Sequence, residues 1–167
     1  MYTTTPSLLA ELDALPARWE VHGTLAAPAA AVAALLLTVA AGRVGDDNLL
    51  VLARASAARQ GAMTVVAGPG AGAYRAELAG PLEPVEVQVD LTGSRVAVQS
   101  WYAGVHAVTA CPVGTRVTHR VHRVLPDHPG FAAGIAEIDL PVRMARDLRQ
   151  VLGVIADRLG CRQSALP

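Results

Sequence analysis

Between residues 62 and 124, valine and threonine replace the alanine runs seen earlier, and turn-forming residues recur about every ten positions. This spacing predicts a run of short strands. The predicted strands are Met63–Ala67, Tyr74–Ala79, Val85–Leu91, Arg95–Ala103, Val105–Cys111 and Thr115–Val124. The predicted turns are Gly68-Pro69-Gly70, Gly80-Pro81, Thr92-Gly93-Ser94 and Pro112-Val113-Gly114. Such short connections leave no room for crossover helices, so the strands are expected to form an antiparallel meander.

The segment before this region predicts one more strand and two short helices. Residues Trp19–Leu25 alternate in polarity, which is typical of a strand. Pro28 then opens an apolar helical pattern that ends near Gly42. Asp46 or Asp47 is the expected cap of a second helix, which runs through Ala53 and closes before Gly61. The sheet is thus predicted to have seven strands.

A long amphipathic helix is predicted at the C-terminal end, from Asp139 as its cap to Gly160. One side of this helix is apolar, and its residues are Ala145, Leu148, Val151, Leu152, Ile155 and Leu159. A helix of about twenty residues spans about 30 Å, enough to cover a sheet of this size. The sequence therefore predicts an α+β fold in which a seven-stranded curved antiparallel sheet packs on a long C-terminal helix.

The chain length of 167 residues favours a single domain. Residues 1–17 are expected to form an N-terminal arm, with a short helix from Thr5-Pro6 to about Leu15. Residues 18–160 form the predicted domain, and residues 161–167 form a C-terminal tail.

Charge and cysteine content narrow the function classes. The fourteen cationic side chains are balanced by fourteen carboxylates, so a nucleic-acid partner is not expected. The two cysteines have no ligand spacing, and neither a metal nor a cofactor is predicted. Residues 25–41 carry no charge, but their alanine content and Pro28 favour a buried helix over a membrane span. The N-terminus lacks signal-peptide features, which predicts a cytoplasmic protein.

The order of elements resembles the START/SRPBCC helix-grip superfamily, which includes polyketide cyclase/dehydrase-like proteins. The segment WEVHGTLAAPAAAVAALLLTV is similar to that superfamily's opening strand and first helix, and RVAVQSWYAGVHAVTACPVGTRVTHRVHRV is similar to its last three strands. The segment RMARDLRQVLGVIADRLG is similar to its closing helix. The resemblance covers residues 19–160. It implies a sheet that grips the helix around a cavity for an apolar or aromatic ligand, and it implies no catalytic residue, because the superfamily has no universal catalytic motif.

Alternation along the strands predicts which polar side chains face that cavity. The expected lining residues are Tyr74, Trp101, His106, His119 and Trp19. His119 lies between two core valines in the pattern, which fits either a proton donor or acceptor for a ligand or a buried structural histidine. Trp101 and Tyr102 are adjacent and are expected on opposite faces of a strand. His119 and His122 likewise fall on opposite faces, which argues against a shared metal ion.

Three functions remain open from the sequence. The leading hypothesis is a protein that binds a small hydrophobic or aromatic molecule, such as a lipid, a polyketide or a quinone-like compound. The alternative is an enzyme of the polyketide cyclase or aromatase type, with His119 or Tyr74 moving protons. The second alternative is a protein-interaction module whose pocket is collapsed and whose contact surface is the arginine-bearing side of the final helix. A homodimer also remains open.

Overall fold

A computed structural model describes residues 7–53, 63–78, 83–124 and 130–164, with the side chains of residues 130–137 excepted. The described residues form four α-helices and nine strands. The helices are α1 (Leu8–Asp13), α2 (Ala29–Leu36), α3 (Leu50–Ala53) and α4 (Gly130–Leu159). The strands are β1 (Trp19–Leu25), β2 (Gly42–Arg43), β3 (Met63–Ala67), β4 (Ala73–Leu78), β5 (Val85–Asp90), β6 (Arg95–Gln99), β7 (Tyr102–Cys111), β8 (Gly114–Val124) and β9 (Gln163–Ser164).

The strands form one curved antiparallel sheet in the order β2-β3-β4-β5-β6-β7-β8-β1-β9. The α+β class, the antiparallel sheet and the C-terminal helix are confirmed. The predicted count of seven strands is wrong, because two strands of two residues each extend the sheet at its ends. Such strands are too short to carry an alternating pattern that a sequence would reveal. The predicted strand Arg95–Ala103 is also wrong, since it ends at Gln99 and the next strand begins at Tyr102.

The concave face of the sheet carries the main core. Alternate residues of β5, Val85 and Val87, are buried there. The C-terminal half of α4 closes on this face with Leu148, Val151, Leu152 and Ile155, which are all buried and belong to the same hydrophobic cluster. The predicted apolar stripe of the helix is therefore its packed side.

Helix α4 begins nine residues before the predicted start at Asp139. Pro141 lies inside the helix, although proline favours the first turn. Asp139 accepts a hydrogen bond from Arg143 one turn later, and does not cap the helix. The predicted helix start at Asp139, just before Pro141, is therefore wrong, because the helix continues on both sides of Pro141.

Helix α2 ends at Leu36, earlier than the predicted end near Gly42. The Asn48 side chain makes two hydrogen bonds to the loop that follows. It accepts one from the Ala40 amide at 2.9 Å and donates one to the Ala40 carbonyl oxygen at 2.8 Å. Helix α3 begins at Leu50 and is not capped by Asp46 or Asp47 in the predicted way. The Asp47 carboxylate instead accepts from Arg158 of α4 at 2.6 Å. The predicted continuation of this helix towards Gly61 lies outside the described residues.

Helix α1 packs on the convex face of the sheet. Leu9 and Leu12 are buried there against residues of β6 and β7. The Ser7 hydroxyl accepts from the Ala10 amide and caps the helix. The predicted start of this helix at Thr5-Pro6 lies outside the described residues, as does the predicted turn Gly80-Pro81.

No helix in the described ranges has both the length and the apolar character needed to cross a membrane.

Candidate functional site

Two buried histidines face each other on the concave side of the sheet. His106 in β7 is the direct cross-strand partner of His119 in β8. Their rings stack with centroids 3.9 Å apart and planes inclined by 13°. Only 7% of His106 and 4% of His119 is exposed. The structure thus brings these two expected lining residues into contact across the sheet.

Both imidazoles are held neutral by their surroundings. Burial lowers the pKa of His106 to about 4. Burial, and secondarily the proximity of His106, lowers the pKa of His119 well below its ordinary value. The Nδ1 atom of His106 is buried and has no hydrogen-bond partner among the described residues. A buried polar atom without a hydrogen-bond partner is uncommon in folded proteins, so the unpaired Nδ1 of His106 needs a physical reason.

An apolar and aromatic group, here named the tryptophan cluster, lies beside the histidines. Its members come from β1, β7, β8, the β6–β7 connection and the first described side chains of α4. The tryptophan cluster consists of Val121, Leu140, Met144, Trp19, Val21, Trp101, Tyr102 and Val124. Val21 is the cross-strand partner of His119, which joins the cluster to the histidine pair. Both tryptophans of the chain belong to this cluster.

Trp101 and Tyr102 pack on the same cluster, so the expectation that they lie on opposite faces is wrong. Their ring centroids are 4.8 Å apart in an edge-to-face arrangement. Trp101 lies in the connection between β6 and β7, outside both strands. The two-residue alternation of a strand therefore does not apply to Trp101, which the prediction had placed inside a strand.

Tyr102 links the tryptophan cluster to the histidine pair, with its ring centroid 6.5 Å from that of His119. Burial, reinforced by the negative charge of Asp147, raises the pKa of Tyr102 to about 12, while Arg143 acts in the opposite direction. The phenol is therefore un-ionised at neutral pH. Sequence reasoning left Tyr102 out of the candidate site because the two aromatic neighbours were assigned to different faces.

Gly104 makes room for the His119 ring. A Cβ atom at this position would lie 3.0 Å from His119 Nε2 and 2.7 Å from the Arg120 carbonyl oxygen. Both distances are shorter than ordinary contacts, so a side chain at position 104 would displace the imidazole or the strand.

Tyr74 is on the same concave face but distant from the histidines. It pairs with Val87 of β5, and β5 and β6 separate it from β7. Three strand spacings correspond to about 14 Å. Four of the five sequence-predicted lining residues, Trp19, Trp101, His106 and His119, thus lie together, while Tyr74 does not join them.

The arrangement of histidines does not suit a shared metal ion. Stacked rings keep their nitrogen lone pairs in nearly parallel planes, which do not converge on one point. His122 lies on the other face, and its Nδ1 is 2.9 Å from the Leu15 carbonyl oxygen. Within the described residues, no group of three histidine, cysteine, aspartate or glutamate side chains has metal-binding geometry.

Two surface concavities lie away from this site. One, of about 310 Å³, lies between α1 and the β5–β6 region, with Asp13, Asp90 and Arg95 among its lining residues. The other, of about 380 Å³, lies between the start of α2 and the end of α4, with Pro28 and Cys161 among its lining residues. Neither includes a residue of the histidine pair or of the tryptophan cluster.

No protein-family model matches the sequence, and no curated protein resembles it significantly. Solved structures do resemble the fold. TTHA0849 from Thermus thermophilus is 18% identical with a TM-score of 0.50, over 84% of this chain and 96% of that one. The Zhui aromatase/cyclase from Streptomyces sp. R1128 is 19% identical with a TM-score of 0.48, over 84% and 94% of the two chains. The likeness to TTHA0849 shows a shared fold, in which an antiparallel sheet packs on a long C-terminal helix.

Proposed function

We propose that this protein binds a small aromatic or apolar molecule on the concave face of its sheet, between the histidine pair and the tryptophan cluster. The observation that carries the proposal is the buried Nδ1 atom of His106, which has no hydrogen-bond partner among the described residues. An unsatisfied buried polar atom costs about 1–3 kcal/mol, and a ligand group that pairs with it would recover that free energy. A fold alone does not assign a function, so the proposal rests on this site.

The surroundings of the histidines favour an aromatic ligand. Tyr102, Trp101 and Trp19 supply ring faces and edges, and Met144 supplies a flexible thioether that adapts to ligand shape. The side chains here combine apolar and aromatic groups with a few polar atoms, which is the composition common to ligand pockets.

Binding is favoured over proton transfer as the primary role. A histidine with a pKa of about 4 is a weak base at neutral pH, far from the value that suits a general base there. Tyr102, with its pKa of about 12, is likewise a weak acid. The polyketide cyclase or aromatase alternative assigns proton transfer to His119 or Tyr74, but the pKa of His119 is lowered by burial and Tyr74 lies in β4, away from the histidine pair.

The interaction-module alternative is weakened by the charge pairing on α4. Arg143, Arg146 and Arg158 each contact a carboxylate of this same chain, at Asp139, Asp147 and Asp47 respectively. An acidic partner would have to displace these intramolecular contacts. Exposed ion pairs of this kind contribute about 0–1 kcal/mol each, so they oppose an acidic partner only weakly.

Intrinsic fluorescence tests the proposal directly, because both tryptophans of the chain lie in the tryptophan cluster. Titration with non-fluorescent quinones and saturated or polyene lipids should quench or shift the emission in a saturable way and raise the melting temperature. His119→Leu should weaken the response. His22→Leu is the matched control, because His22 pairs with Thr118 and its side chain falls on the face opposite to His119. A flat response across the panel, with no thermal shift, would remove the proposed function.

A further inference from the structure

We propose that the ligand is uncharged and is anchored by a hydroxyl group that hydrogen-bonds to Nδ1 of His106. This inference rests on the proposed function and names the polar feature that the site selects. It follows from the unpartnered imidazole nitrogen and from the charges around it.

The chemistry of a neutral imidazole favours a hydroxyl as its partner. A neutral histidine has one ring nitrogen that donates a hydrogen bond and one that accepts. A hydroxyl both donates and accepts, so it satisfies Nδ1 of His106 in either tautomer. A ketone carbonyl accepts only, and would fit only the tautomer that carries its proton on Nδ1.

The direct neighbours of His106 across the sheet do not supply a counter-charge. Its cross-strand partners are Val96 in β6 and neutral His119 in β8. Along its own strand, the next residues on the same side are Gly104 and Val108. A carboxylate or ammonium bound here would lose its hydration without an opposite charge beside it, and that loss is costly.

The two charged side chains that act on Tyr102 come from α4 and have opposite signs. Asp147 raises the pKa of Tyr102 and Arg143 lowers it. Arg143 is itself in contact with Asp139. Asp147 is likewise in contact with Arg146, so neither Asp147 nor Arg143 is an unpaired counter-charge for an ionic ligand at the Tyr102 end of the site.

Three aromatic compounds with the same ring system separate the contributions of the apolar ring, the hydroxyl group and the charge to binding. Naphthalene, 2-naphthol and 2-naphthoate share one ring system and differ in bearing no polar group, a neutral hydroxyl or a carboxylate. Equilibrium dialysis of the full chain at about pH 7, with the free compound quantified by chromatography, measures each dissociation constant without relying on overlapping fluorescence. We expect 2-naphthol to bind about tenfold more tightly than naphthalene, and 2-naphthoate to bind more weakly than either.

The variant His106→Phe preserves an aromatic ring against His119 and removes both ring nitrogens. We expect it to bind naphthalene and 2-naphthol with equal affinity, whereas His22→Leu keeps the preference for 2-naphthol. If His106→Phe does not fold, the comparison of the three compounds on the wild-type protein still tests the hydroxyl preference and the requirement for an uncharged ligand.

The outcomes distinguish this inference from the function on which it rests. Equal affinity of the wild-type protein for naphthalene and 2-naphthol would overturn the hydroxyl anchor and leave apolar binding in place. Tight binding of 2-naphthoate would overturn the requirement for an uncharged ligand. Retention of the hydroxyl preference in folded His106→Phe would remove His106 as the anchor. Binding of none of the three would count against both proposals.

Discussion

The imidazole of His106 lies face to face with that of His119, 3.9 Å between centroids, in the middle of an otherwise apolar sheet face. Two neutral rings tolerate this contact, but two imidazolium ions would repel each other at that distance without water to screen them. The stability of the fold therefore depends on the protonation state of these two buried histidines.

Acidification should destabilise the protein through these histidines. The folded-state pKa of His106 is lowered to about 4 from an ordinary value of 6.5, so the unfolded chain binds more protons between these two values. The stabilisation is complete above about pH 6.5 and is lost as the pH falls towards 4. At about pH 5, the protonation of His106 alone should have lowered the free energy of unfolding by about 2 kcal/mol. His119 should lower it further, in the same direction.

Urea unfolding of the wild type and of the double variant His106→Leu/His119→Leu, at about pH 7.5 and pH 5, measures this effect. The double variant should lose much less stability on acidification than the wild type. His22→Leu should behave as the wild type does. Parallel acid losses in the wild type and the double variant would show that other groups control the acid response.

The contact between the histidines depends on a register that the sequence indicates only indirectly. Strands β7 and β8 are joined by Pro112 and Val113, and Cys111 pairs with Gly114. Counting back from this two-residue turn places His106 opposite His119. The sequence predicted a turn at Pro112-Val113-Gly114, but several loop lengths fit those residues, and each would give another register.

Local irregularities account for what sequence reasoning missed. Trp101 lies in the connection between β6 and β7, where strand alternation does not hold, and it packs on the same cluster as Tyr102. The helix passes through Pro141, whose missing amide usually marks a helix start. In contrast, the apolar face of β5 and the packed face of α4 followed from periodicity, because long regular patterns leave few alternatives.

The packing of α4 should make Leu152 one of the most sensitive positions in the chain. Leu152 is fully buried in the main core. Leu152→Ala should lower the free energy of unfolding by about 2–5 kcal/mol, through lost burial and the cavity left behind. Gln150→Ala, on the exposed side of the same helix, should change it by less than about 0.5 kcal/mol. If both variants changed the free energy of unfolding equally little in a urea titration, Leu152 would not lie on the packed side of α4.

Gly104 should resist substitution because of its neighbours, not because of its backbone angle. A Cβ atom there would lie 2.7 Å from the Arg120 carbonyl oxygen, which is backbone and has little freedom to move. Gly104→Ala should therefore destabilise the protein by about 1–3 kcal/mol and alter tryptophan emission, since Val121 and Tyr102 lie nearby. Gly45→Ala is the control, because a Cβ atom at Gly45 meets nothing within 4 Å. A stable Gly104→Ala variant with unchanged emission would contradict the close contact.

The attachment of α1 should depend on burial more than on its ion pairs. Leu12 is fully buried against the convex face, whereas the Arg95–Asp13 pair, at 2.8 Å, leaves 49% of the Asp13 side chain exposed. Exposed ion pairs contribute about 0–1 kcal/mol, and Arg95 retains a second contact with Asp90 when Asp13 is changed. Leu12→Ala should therefore speed amide hydrogen exchange in residues 8–13 and expose the arm to proteolysis, while Asp13→Asn should have little effect. If Asp13→Asn released the arm as fully as Leu12→Ala, charge pairing and not apolar burial would be what holds α1 on the sheet.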